Sequence, residues 1–124
     1  MSAGRSAVGL REALRAHGAA EQEWLEARAA LDAQRRRVAS AEAEVAGRLR
    51  LAETIRRCRG VDPHAAVALS GARAHAARAA EEGARLASAE AVHARLRRVA
   101  DERLADVATC LRASTTAGVE RRCG

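Results

Sequence analysis

The chain has 124 residues, with 22 basic against 16 acidic side chains for a formal charge of +6, and one Trp with no Phe or Tyr. That length allows one domain at most, and so few bulky apolar residues argue against the concave, water-excluding pocket that an enzyme builds. No run of about 18 apolar residues occurs, which argues against a membrane span, and the first ten residues lack the apolar core of a secretory signal.

Ala and Arg dominate, and Lys is absent, so all 22 basic residues are arginines. A chain rich in Ala, Glu, Leu and Arg with helical periodicity has the composition of a coiled coil. The Arg bias also fits a GC-rich coding sequence, so it is no evidence by itself for guanidinium chemistry. With Ala between the larger apolar residues, two helices bury only a strip. Burial yields roughly 25 cal/mol per Å² of apolar surface, so a lone pair of such helices is expected to be marginal and to gain from a second copy or a larger partner.

In chain order, residues 1–8 read as frayed, with Gly9 as a weak N-cap and Glu12 at the third position of a capping box. A first helix follows over 10–58. Leu10, His17, Trp24, Leu31, Val38, Val45 and Ala52 recur every seven residues, and Ala13, Ala20, Ala27, Gln34, Ala41, Arg48 and Ile55 form the companion row. A seven-residue repeat keeps one seam of a helix facing a partner, and large residues alternating with Ala suit close antiparallel contact. Gly18 and Gly47 are candidate bends at about 1 kcal/mol each. Asp32–Arg36, Glu44–Arg48 and Glu53–Arg57 have the spacing of intrahelical ion pairs.

Arg59-Gly60-Val61-Asp62-Pro63 reads as the turn: Gly60 suits the left-handed position after a helix, Asp62 an N-cap, and Pro63 the first helical position. A second helix is expected over 63–112. Its seam is Ala65, Ala72, Ala79, Leu86, His93, Ala100 and Val107, supported by Leu69, Leu96, Leu104 and Leu111. The stretch 71–89, nearly all Ala, Arg, Glu and Gly, should be the slimmest part. Folding about residue 61 sets Trp24 near Val99 and Ala100. Residues 114–124 read as a disordered tail. The fold class is therefore all-α, a long two-helix antiparallel coiled-coil hairpin spanning 1–113, with the turn at 59–63. Two straight helices in a domain-swapped dimer would carry the same heptads, and the turn signal favours the hairpin.

No catalytic, cofactor-binding or metal-binding residues are assigned. His17, His64, His75 and His93 have no metal-ligand spacing, and neither Cys-x-x-Cys nor a Gly-rich phosphate loop is present. His17 and His93 fall on the seam as packing residues, and Glu81–Glu82 reads as solvated helix surface. Of the cysteines, Cys58 lies near the turn while Cys110 and Cys123 lie at the opposite end. A straight hairpin would hold Cys58 roughly 70 Å from Cys110 at 1.5 Å per residue, too far to pair, so free thiols in a reducing cytosol are expected.

Charge carries more. Residues 48–78 hold Arg48, Arg50, Arg56, Arg57, Arg59, Arg73 and Arg78 against only Glu53 and Asp62, which makes +5 of the chain's +6. This basic pole is a candidate site for an acidic protein or for phosphates, against the alternative of a solvated basic face. No stacking aromatic stands near it, so specific nucleic-acid reading is not expected. Arg35-Arg36-Arg37 points in successive directions around the helix and reads as solvated surface. Trp24 is read as a seam knob, with a partner hot spot as the alternative.

The heptads Leu10…Trp24…Leu31…Val38…Val45 and the central Gly60-x-Asp62-Pro63 turn give residues 8–113 an architecture that resembles the FliJ/YscO group of type III secretion and flagellar export. The resemblance implies a non-enzymatic central stalk whose paired helix ends sit in the pore of a hexameric export ATPase. The other end would face the export gate, and the protein would also hold secretion chaperones. It implies a cytoplasmic location, peripheral to the inner-membrane export apparatus. Leu10, Leu14, Leu104, Val107 and Leu111 would grip the ATPase sleeve, and a rod of about 75 Å, at 1.5 Å per residue, would bridge two layers of a machine. No motif aligns, so no functional residue of that group is carried over. The alternatives are a homo-oligomeric coiled-coil adaptor, for instance a four-helix bundle, and a basic nucleic-acid-associated protein.

Overall fold

A computed structural model describes the backbone of residues 2–59 and 63–123 and the side chains of residues 9–59 and 63–116. It contains two helices, α1 (Ser2–Arg59) and α2 (Pro63–Cys123). They pack against each other in antiparallel fashion, and among the described residues there is no strand. Pro63 opens α2, where its missing N–H is no loss. The readings of Gly60 and Asp62 fall outside the described residues.

Both helices overrun their expected ends. α1 begins at Ser2, so Gly9 lies inside the helix and not at its cap. A glycine costs a helix about 1 kcal/mol, which surrounding Ala and Arg absorb. α2 continues to Cys123 instead of stopping near 112 before a disordered tail. The hydroxyls of Thr115 and Thr116 donate to the carbonyls of Leu111 and Arg112, both at 2.9 Å. These residues, read as helix-ending, instead bond back one turn within the helix.

The contacts divide the chain into two units, Met1–Arg28 with Ala91–Gly124, and Ala29–Glu90. In the first unit the α1 seam is Leu10, Ala13, His17, Ala20, Trp24 and Ala27, all sheltered from solvent. Opposite them α2 shelters His93, Leu96, Ala100, Val107 and Cys110. Ala20, Ala100 and Val107 are the buried centre of this unit. Folding about residue 61 would bring Trp24 to Val99 and Ala100, but its polar partner is His93. The helices are thus paired more than a turn away from symmetric folding.

The second unit is a helical hairpin by itself. Its α1 seam is Leu31, Gln34, Val38, Ala41, Val45, Ala52 and Ile55, and all are sheltered. Leu31 is only 3% exposed. On α2 the sheltered residues are Ala65, Ala68, Ala72, His75, Ala79, Glu82, Leu86 and Ala89. The row that completes the α2 seam in both units is therefore Ala68, His75, Glu82, Ala89, Leu96 and Cys110, and the expected Leu69, Leu104 and Leu111 lie one residue beyond it. One residue turns a helix by about 100°, which carries those three leucines out of the seam, where they are exposed.

Among the described residues no side chain larger than Ala is completely buried, so the core is a strip of Ala, Leu and Val. Local ion pairs reinforce the helices: Glu44–Arg48 at 3.6 Å and Glu53–Arg57 at 3.4 Å form as spaced, whereas Asp32 meets Arg35 at 3.6 Å and not Arg36. Arg56, Arg57 and Arg59 occupy the last turn of α1, where positive charge opposes the negative end of the helix dipole. Cys58 and Cys110 are free thiols, and the Cys123 side chain lies outside the described residues. No helix, over the described residues, is long and apolar enough to cross a membrane.

Candidate functional site

Polar residues interrupt the seam of the second unit. Gln34 sits at a core position and is 6% exposed. Its amide nitrogen donates to the backbone carbonyl of Glu82 at 3.0 Å and to Glu82 Oε2 at 2.6 Å. Its carbonyl oxygen accepts from Arg37 Nη1 at 3.2 Å. Every strong hydrogen-bonding group of this side chain is therefore engaged, as a buried amide requires. Glu82 in turn accepts from Arg85 Nη1 at 2.9 Å. Glu82 is thus half-buried and part of the seam, which corrects its reading as solvated surface; Glu81 beside it is exposed.

Nearly three turns away on α1, Glu44 Oε1 lies 3.5 Å from His75 Nδ1 and 3.6 Å from Arg48 Nη2. Between these two polar layers, where Ala is the main apolar residue, the hairpin opens into a shallow cleft of about 270 Å³. Arg37, Ser40 and Glu44 line it from α1, and His75, Arg78 and Glu82 from α2. Expecting a slim stretch at 71–89 from its Ala and Gly content locates this region but misses its chemistry. The signal for it was the heptad row three residues after Ala65, Ala72 and Ala79, which carries His75 and Glu82.

In the first unit Trp24 and His93 form a polar crossing between the helices. Trp24 Nε1–H donates to His93 Nε2 at 2.9 Å, with ring centroids 5.9 Å apart and planes inclined at 35°. The Arg97 guanidinium carbon lies 6.0 Å from the Trp24 ring centroid, at the limit of a cation–π contact. His93 therefore accepts through Nε2, with its proton on Nδ1 in the neutral ring. His17 lies on the same seam, 3.8 Å from Glu21.

The sequence-derived partner residues fall into two groups. Val107 is buried, Leu10 is sheltered, and Trp24 is half-buried against His93. These side chains are engaged in the seam. Leu14, Leu104 and Leu111 are about half exposed, at 50%, 52% and 49%. Each follows a companion-row position by one residue, and turning one helix end for end places these positions on the same flank of the pair. In the second unit Leu49 and Leu69 hold the equivalent positions and are also exposed. Arg48, Arg50, Arg56, Arg57 and Arg59 are all exposed. Arg48 bonds Glu44, and Arg56 and Arg57 share Glu53. Among the described residues no three His, Cys, Asp or Glu side chains come together as a metal-ligand set.

No protein-family model matches this chain, and no curated protein or solved structure matches it.

Proposed function

We propose that the chain is a non-enzymatic helical interaction protein that presents leucine-bearing flanks to a helical partner. The observation that carries this reading is the placement of Leu14, Leu104 and Leu111 outside a seam already closed by Ala20, Ala100 and Val107. These three leucines leave apolar surface on one flank of the pair still to bury. That surface stabilises only by association, at roughly 25 cal/mol per Å².

We further propose the partner class implied by the resemblance to the FliJ/YscO group: the pore of a hexameric export ATPase, with the chain as its stalk in the cytoplasm beside the export gate. Support for the partner's identity is architectural alone. A narrow Ala seam permits close helix approach, and the exposed arginines of residues 48–59 offer a basic surface to an acidic neighbour.

The test is co-purification with a type III export ATPase, with ATP hydrolysis measured in the presence and absence of the chain. Binding and stimulation that are lost on L14Q/L104Q/L111Q, with helicity retained, support the stalk. Neither binding nor stimulation removes it. The same exposed leucines also favour a second reading, a homo-oligomeric adaptor. A dimer that persists at high dilution in sedimentation velocity, and dissociates in the triple variant, supports that alternative.

A further inference from the structure

The cleft in the second unit is lined by two arginines and two carboxylates. Its two carboxylates are already engaged: Glu44 with Arg48 and His75, and Glu82 with Arg85 and the Gln34 amide. Arg37 spends a single N–H on the Gln34 carbonyl oxygen. Arg78 makes no hydrogen bond or ion pair among the described residues, although it lines the same cleft from the opposite helix. With Arg48 and Arg85 set against Glu44 and Glu82, the guanidiniums of Arg37 and Arg78 are left as an uncompensated pair.

We propose that this cleft binds a phosphate group between Arg37 of α1 and Arg78 of α2. A guanidinium presents five N–H donors in a planar fork that matches phosphate oxygens two at a time. Two forks from opposing helices complement a phosphate dianion, the cleft's carboxylates being engaged by Arg48 and Arg85. Ser40 supplies a neutral hydroxyl donor on the same wall. The Gln34–Glu82–Arg85 layer fixes one end of the cleft and the Glu44–His75 pair the other, so the arginines stand on a braced frame. The site is independent of the stalk reading and of the exposed leucines.

The test is calorimetric titration of the full chain with inorganic phosphate and with pyrophosphate, sodium chloride being adjusted to constant ionic strength. Acetate serves as a carboxylate of lower charge. Arg37, Arg78 and Arg112 are exposed, so R37Q, R78Q and the remote control R112Q are expected to keep wild-type helicity by circular dichroism. The expected result is saturable binding at one site, stronger for phosphate or pyrophosphate than for acetate. R37Q and R78Q should each weaken it by at least about tenfold, the loss of a charge-assisted hydrogen bond, while R112Q leaves it unchanged. R78K, which keeps the charge but not the fork, should retain weakened binding, and it carries the test if R78Q fails to fold. Heat that does not saturate, equal binding of acetate, or equal loss in R112Q would overturn the proposal and leave only general counterion attraction.

Discussion

Trp24 and His93 illustrate how much one residue pair decides in a thin seam. The single indole bonds a single imidazole across the helices at 2.9 Å, and as the only Trp of the chain it reports on that bond alone. His93→Ala is expected to destabilise the chain by about 1–2 kcal/mol, one hydrogen bond plus lost packing, and to move Trp24 emission to the red. Thermal denaturation and fluorescence check this; unchanged emission would mean the pair does not form.

Gln34 and Glu82 form the corresponding pair in the second unit. A double-mutant cycle of Gln34→Ala and Glu82→Ala should give a coupling of about 1–2 kcal/mol. A coupling near zero in urea denaturation would contradict the 2.6 Å bond.

The helices themselves were highly legible. The heptad from Leu10 to Ala52 describes the sheltered face of α1 almost residue for residue, because a seven-residue period stays close to two helical turns and returns each residue to the same face. Arg48 is the exception, since its guanidinium turns out to Glu44 and solvent. The second row of α2 was not legible. Ala68, His75, Glu82 and Ala89 are small or polar, and the neighbouring leucines drew the reading one position too far. The polar cleft went unseen for the same reason: Leu69 and Leu104 drew attention from the row three residues after Ala65, Ala72 and Ala79, which carries His75 and Glu82. Helix ends were also misplaced, because glycine and threonine weaken a helix without ending it when the turn can absorb their cost. Gly18 tests this at the level of the element. A Cβ there meets nothing within 4 Å, so Gly18→Ala should stabilise the chain by about 0.5–1 kcal/mol, read as a higher melting temperature. A destabilised variant would show that the glycine is needed for a bend.

For the molecule, the governing asymmetry is that Ala fills much of the seam beside Leu31, Leu86 and Leu96, while Leu14, Leu104 and Leu111 remain outside it. Sequence reasoning assigned Leu10, Leu14, Leu104, Val107 and Leu111 together to a partner. The structure separates them, because heptad position and not residue size decides which face a side chain joins. Leu14, Leu104 and Leu111 are thereby available for association, whereas Val107 cannot leave the seam without opening it. The most direct test compares the melting temperatures of Leu31→Ala and L14Q/L104Q/L111Q by circular dichroism. Leu31 is buried, and its truncation should cost about 2–3 kcal/mol. The three flank substitutions together should cost less than about 1.5 kcal/mol, surface changes each falling within about 0.5 kcal/mol. A triple variant that unfolds while Leu31→Ala melts like the wild type would contradict the assignment of seam and flank on which the account stands.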